Sequence, residues 1–321
     1  MESSNDDIRL KSRSTVATVK AGYQLFFSHF RTLMRISWLQ ALIYAVFCGI
    51  LGLFAVVLYP RLIYRMAFLE STATVSTAMV TQMFCYIALI VFTVLLGAIA
   101  EVVFYSRGLT MLRQHSDTGS ILTPARWITF DRRSAWRMIK MTLCIVVLVI
   151  PFCILMGILQ HWIITPDMRQ PLAHAGSLII VAVGIFVIAL FYLPLTHVCM
   201  EYLLQVKGGF WGNLRRIYGI SLRHFGYIFA TMLVTGIIIG VSTLIILLPA
   251  EILTAAFLQS NMGQLMGDAL NMPAYTTLLA VVVFFISGFV QGYIRISALF
   301  VYYYMNGSIH TQEQERKQVK L

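Results

Sequence analysis

The sequence predicts an all-α polytopic membrane protein of six transmembrane helices, arranged as three hairpins, each preceded by a basic amphipathic interfacial helix. Three observations carry this. Of 321 residues, 59% are hydrophobic and only 12% charged, with a mean hydropathy of +0.80, whereas soluble domains are about a quarter charged. Six apolar windows approach or exceed the roughly 20 residues that a helix needs to cross a hydrocarbon core of about 30 Å. The positive charge is also distributed unevenly between alternate connections.

The six windows cover 36–59, 79–105, 139–159, 177–200, 225–248 and 275–300. Lipid cannot hydrogen-bond a bare backbone, so a segment of this length and composition closes its own hydrogen bonds as a helix. The alternating ten-residue pattern of a membrane barrel is absent. A single membrane domain over 14–305 is expected, with a polar leader at 1–13 and a charged tail at 306–321. The tail, HTQEQERKQVKL, reads as mobile. No cleavable signal sequence is evident in the first 35 residues. The longest connection, 106–138, is too short for an independent core.

The formal charge of +11 raises the possibility of nucleic-acid binding, which its placement argues against. Of the 24 Lys and Arg residues, 19 lie in the N-terminal segment, in 106–138, in 201–224 or after 301, and only 3 in the alternate loops. That asymmetry is what the positive-inside rule expects for six spans with both termini cytosolic. The location implied is a cell membrane, the cytoplasmic membrane if the source is bacterial.

A weak repeat runs through the basic side. In STVATVKAGYQLFFSHFRTLMR, Val16, Val19, Tyr23, Phe26, Phe27, Phe30 and Met34 recur at helical spacing opposite Gln24, Ser28, Arg31 and Arg35. In GGFWGNLRRIYGISLRHF, Trp211, Leu214, Tyr218, Leu222 and Phe225 face away from Arg215, Arg216 and Arg223. Between them, TPARWITFDRRSAWRMIK is less regular, with Thr123-Pro124 and Asp131 as successive helix starts. Ser28-His29-Phe30 and Arg223-His224-Phe225 hold similar places before spans one and five. The basic faces, including Arg132, Arg133 and Arg137, suit anionic lipid headgroups or a membrane or cytosolic protein partner; simple anchoring of the spans accounts for them equally well.

Charges inside the spans are costly, about 2.5 to 3.5 kcal/mol each at bilayer centre, so they should face the interior or pair. Glu101, Glu201 and Arg295 each lie on an even-numbered span's helix ahead of its flanking polar residue, six residues before Arg107, six before Lys207 and eleven before Asn306. His197 lies one turn before Glu201, and Gln291 one turn before Arg295. We expect Arg295 to be held by Glu101, Glu201 or both, with Tyr302, Tyr303 and Tyr304 marking the interface. A packing clamp, an anionic-headgroup pocket and a solute path all fit this cluster. Gly236–Gly240 and Gly288–Gly292 have GxxxG spacing, which permits close helix packing and pairs spans five and six. Pro151 and Pro194 fall inside spans three and four, where a missing backbone donor favours a kink.

Cys48, Cys85, Cys144, Cys153 and Cys199 all lie in apolar windows with no CxxC or Cys/His spacing, so neither disulfide nor metal is implied. No phosphate loop, HExxH or GxSxG occurs, and no cofactor is expected. The tail of span six, SALFVYYYMNGSIHTQEQE (297–315), with small and apolar residues, tyrosines and then a charged stretch, loosely resembles the six-span membrane domain associated with bacterial glycerophosphodiester phosphodiesterases and its stand-alone relatives of unknown function. The resemblance implies the topology; the catalytic barrel of those enzymes has no counterpart in this sequence, so no activity is implied. Three expectations remain: a non-enzymatic protein that interacts with lipid or scaffolds membrane partners, a transporter or permease subunit with a polar path, and an intramembrane enzyme.

Overall fold

A computed structural model describes residues 11–54, 77–119, 121, 132–163, 170–205, 208–265 and 274–319. The first half of the middle lead-in segment, 123–131, with Thr123-Pro124 and Asp131, lies outside the described residues, and its second half opens α4. Among the described residues the regular structure is helical throughout: α1 (Thr15–Ser28), α2 (Phe30–Leu53), α3 (Thr77–Thr118), α4 (Arg132–Ile163), α5 (Gln170–Leu204), α6 (Phe210–Arg223), α7 (Phe225–Leu265) and α8 (Ala274–Gln318). Six of them, α2, α3, α4, α5, α7 and α8, are long and apolar enough to cross a membrane. Lipid as solvent explains their surface, where residues such as Phe84, Phe92, Leu143, Ile179, Phe186 and Leu244 stand exposed.

α3 and α8 outrun their apolar windows at the same end of the bundle. α3 continues to Thr118, through a stretch that composition reads as loop, and buries Ser106, Arg107, Leu109, Met111, Leu112 and His115. α8 continues to Gln318, so the tail expected to be mobile is helical over most of its length. The chain's two ends meet there: the Arg13 backbone N–H donates to Ser308 Oγ at 2.9 Å, and the Arg13 guanidinium lies 4.9 Å from the centre of the Tyr304 ring. We call this the basic end of the bundle.

α8 is the axis of the fold, touching α1, α2, α3, α5 and α7, with α2 its most extensive neighbour. Small residues permit that approach. A Cβ at Gly52 would enter the Phe284 ring, one at Gly288 would overlap Cys48 Cβ, and one at Gly292 would lie 2.9 Å from Phe104 Cε1. The main core is aromatic and lies toward the basic end: Phe26, Phe104, Tyr293, Phe300 and Tyr303 join Leu33, Leu112 and Ile296. Phe26 meets Phe300 edge-on at 5.5 Å, and Phe104 meets Tyr293 at 5.1 Å, geometries worth about 0.5–1.5 kcal/mol each beyond burial. α4 is peripheral, with none of its apolar window buried.

Two expectations need correction. Gly288 and Gly292 pack α8 against α2 and α3, whereas a Cβ at Gly236 or Gly240 would have nothing within 4 Å among the described residues. α7 and α8 do touch, but through Ile228, Met305 and Ile309 and a bond from Ser287 Oγ to the Ile246 carbonyl. The GxxxG spacing in α7 thus faces away from the helix it was expected to meet. Nor do all three tyrosines mark an interface: Tyr303 is fully buried with its hydroxyl 3.0 Å from His115 Nδ1, Tyr304 is 5% exposed, and only Tyr302 is partly exposed. Because α3 and α8 both extend beyond their apolar windows, the layer that a hydropathy plot assigns to headgroups is protein interior.

Candidate functional site

The five intramembrane polar residues fall into two groups. In the first, Arg295 Nη1 lies 3.5 Å from Glu101 Oε1. Tyr44 of α2 stands beside the pair, and Tyr105 follows Glu101 by one turn on α3. Gln291 is buried one turn from Arg295 on α8. Of the two carboxylates the sequence offers to Arg295, Glu101 is therefore its ion-pair partner.

Glu201 belongs to the second group, and its partners come from beyond the apolar windows. Its Oε2 accepts from Asn306 Nδ2 at 2.8 Å and meets His310 Nε2 at 2.7 Å; its Oε1 accepts from Gln205 Nε2 at 2.6 Å. Gln205 Oε1 in turn accepts from Asn213 Nδ2 at 3.1 Å, which carries the chain of bonds into α6. One buried carboxylate thereby ties α5 and α6 to the extension of α8. Asn306, Gln205 and His310 lie in segments that composition assigns to solvent, so only the carboxylate itself is visible as anomalous in the sequence.

His197 is 1% exposed, one turn from Glu201 on α5. Its Nδ1 is 2.8 Å from Ser221 Oγ, while Ser221 donates to the Ile217 carbonyl at 3.1 Å. A hydroxyl carries a single proton, so when Ser221 gives it to Ile217, His197 donates from Nδ1 and presents a bare Nε2. That Nε2 is buried with no hydrogen-bond partner, and the His310 ring lies 6.1 Å away between centroids.

The basic residues separate by role. Arg137 turns inward: its Nη1 donates to the Tyr202 carbonyl at 2.9 Å and to the Gln205 carbonyl, and its guanidinium lies 5.1 Å from the Tyr202 ring centre. Arg113 donates through Nε to Leu203 O at 2.8 Å and through Nη1 to Ser134 Oγ at 2.7 Å. Together they occupy carbonyls left over at the end of α5, where the helix dipole is negative. The headgroup role expected of Arg137 is thus replaced by capping. Arg31 and Arg35 on α2, Arg132 and Arg133 on α4, and Arg215, Arg216 and Arg223 on α6 are exposed.

α6 has three faces. Phe210, Asn213, Ile217 and Ser221 are buried; Arg215, Arg216 and Arg223 are exposed; and Trp211 and Leu222, each 50% exposed, offer a second apolar strip. Leu214 and Tyr218 continue that strip over a cavity of about 520 Å³ between α4, α5 and α6. Its walls are apolar, with Leu148, Phe152, Ile188 and Phe191 among them, and Arg215 and Tyr218 are contributed by α6. Burial raises the Tyr218 phenol above its ordinary value, so it stays neutral there. A second cavity of about 530 Å³ lies between α3 and α4, lined by Val103, Arg132, Arg133, Ala135, Trp136 and Ile139.

Among the described residues no three His, Cys, Asp or Glu side chains come together as metal ligands, and all five cysteines are free thiols. No known family model matches the chain, and no curated protein or solved structure shows significant similarity to it.

Proposed function

We propose that this is a non-enzymatic integral membrane protein that holds an anionic lipid at the basic end of the bundle, with both termini on the cytosolic side. The observation that carries the reading is the cavity between α4, α5 and α6. Its apolar wall suits an acyl chain, and Arg215 is placed to meet a phosphate. A guanidinium forks onto two phosphate oxygens more readily than an ammonium does. The exposed Trp211 and Leu222 beside Arg216 give α6 the composition of a helix lying in the headgroup plane. The second cavity repeats the pairing of apolar wall and arginine with Trp136 and Arg132. The separate partners of Glu101 and Glu201 favour this reading over a continuous polar path for a solute.

Gly219 provides the test, because it lines the cavity and a Cβ there would meet nothing within 4 Å. Gly219→Leu therefore starts a side chain in open space at the cavity wall. Native mass spectrometry of protein released from phosphatidylglycerol-containing nanodiscs should show retained lipid in the wild type and its loss in Gly219→Leu and Arg215→Gln, both still folded. Equal retention in all three would overturn the proposal.

A further inference from the structure

The Glu101–Arg295 pair is not closed. Its contact of 3.5 Å is longer than the 2.7–2.9 Å of a charge-assisted hydrogen bond. The Arg295 side chain is 43% exposed and that of Glu101 28%. A guanidinium offers five donors and a carboxylate about four acceptor sites, so one long contact, with Tyr44 and Tyr105 beside it, leaves donor and acceptor positions open on both. The Tyr105 hydroxyl, a turn further along α3, is buried close enough to Glu101 to interact with it, though short of full hydrogen-bonding geometry.

The pair also lies well inside the apolar layer. Tyr44 beside it is nine residues along α2 from the exposed Arg35, about 13 Å of helix. α3 and α8 both run toward the basic end, and helical side chains lean back toward their own N-terminus. Both charges therefore lean away from the nearest polar layer, and reaching it by snorkelling would work against that direction.

This geometry restricts what can bind. A lone anion drawn to Arg295 meets Glu101 at a similar distance, and a lone cation drawn to Glu101 meets Arg295. A zwitterion with its anion toward Arg295 and its ammonium toward Glu101 completes both groups and adds no net charge where uncompensated charge is disfavoured. We propose that Glu101 and Arg295 form a two-point site for a zwitterion that pairs a phosphate or carboxylate with a primary ammonium. The phosphatidylethanolamine headgroup and a free amino acid or phosphoethanolamine share this chemistry. In taking a lipid as the source, the inference rests on the lipid-binding reading above; the site itself stands on separate residues. A quaternary ammonium is excluded as the better ligand because it cannot donate a hydrogen bond to Glu101.

The test compares phosphatidylethanolamine, phosphatidylcholine and phosphatidylglycerol added to full-length protein in detergent, read by native mass spectrometry. Wild type should bind phosphatidylethanolamine several-fold more than phosphatidylcholine. Glu101→Gln should abolish that preference, Arg295→Gln should lower binding of both zwitterionic lipids, and Arg215→Gln should leave the preference intact. Discrimination seen only with soluble phosphoethanolamine against phosphocholine, and lost in Glu101→Gln, would keep the site and assign it to a free solute. No ethanolamine preference in wild type, with lipid or solute, overturns the proposal without any variant, as does a preference that survives Glu101→Gln. Loss of phosphatidylglycerol alone in Gly219→Leu would bear on the groove and leave this pair untouched.

Discussion

α1 and α6 are two versions of one device. Each is a 14-residue helix that stops at a histidine with φ near −100° and passes through a phenylalanine into a span: His29 with φ −113° and ψ 13°, His224 with φ −99° and ψ 20°. Pairing cap with cap sets Ser14 against Gly209, and three buried positions then coincide: Thr18 with Asn213, Gly22 with Ile217, Phe26 with Ser221. So do exposed apolar ones, Val16 with Trp211 and Phe27 with Leu222. The environments differ. α1 is pressed onto α8, with Gly22 against the Val301 backbone, and also reaches α7, where Thr18 Oγ1 lies 2.6 Å from the Tyr227 hydroxyl. α6 rests on α5, is joined by polar contacts and roofs a cavity. The same amphipathic pattern thus serves once as a wedge and once as a cover, and the residue at its centre separates the two. Gly22 admits the backbone of a neighbour, while Ile217 holds its neighbours at side-chain distance.

The largest effect should come from closing that approach. A Cβ at Gly22 would lie 2.5 Å from Val301 Cα, a backbone atom that cannot turn aside. Gly22→Ala should cost about 1–3 kcal/mol, read as a lower unfolding midpoint in detergent, while Gly219→Ala on α6 should be neutral or slightly stabilising. Equal effects would mean that α1 is held no more tightly than α6.

The next should come from the polar latch. Glu201→Ala leaves the Asn306 and Gln205 donors without their acceptor, at about 1–3 kcal/mol for each buried group left unpaired. Hydrogen exchange should rise in α6 and in the last turns of α8 and change little in α1. A uniform rise would show that the two ends of the device are mechanically coupled.

The smallest should come from the histidines. His29 Nδ1 bonds only within its own turn, to Ser28 Oγ at 2.8 Å and the Leu25 carbonyl at 3.2 Å, whereas His224 Nε2 reaches Glu313 Oε1 at 2.9 Å. His224→Ala should cost up to about 1 kcal/mol, the range of a partly exposed ion pair. His29→Ala should fall within about 0.5 kcal/mol, as at an ordinary surface position. A double variant with Glu313→Ala that adds nothing to His224→Ala would confirm that their contact is the source.

The spans, the two lead-in helices and the need of Arg295 for a carboxylate are legible in the sequence because each follows from a cost that any neighbour would impose; the choice of Glu101 over Glu201 is not. An unpaired charge in lipid must find its opposite, and an amphipathic segment must lie at a boundary. The partners of Glu201 are not legible. Asn306, Gln205 and His310 sit among polar residues, where a buried donor and a hydrated one are spelled alike. Arg137 is hidden for the same reason, since nothing local distinguishes an arginine that caps α5 from one that waits for a phosphate. Tyr303 misleads because hydropathy measures what a segment prefers as solvent, and the solvent at that level is the extended ends of α3 and α8.

The sequence distance between α1 and α8 has a temporal consequence. Gly22, near the start, is shaped to receive Val301, near the finish. During synthesis at about 10 residues per second, α1 and the α8-facing side of α2 must wait on the order of half a minute for the helix they are cut to fit. For that interval Phe26, Leu33 and Gly52 have no permanent neighbour on that side. α1 and α2 are thus secured only after α8 has been made, and a ribosome that stops short of α8 leaves a membrane-inserted chain in which both are open to insertases, quality-control proteases and other nascent chains.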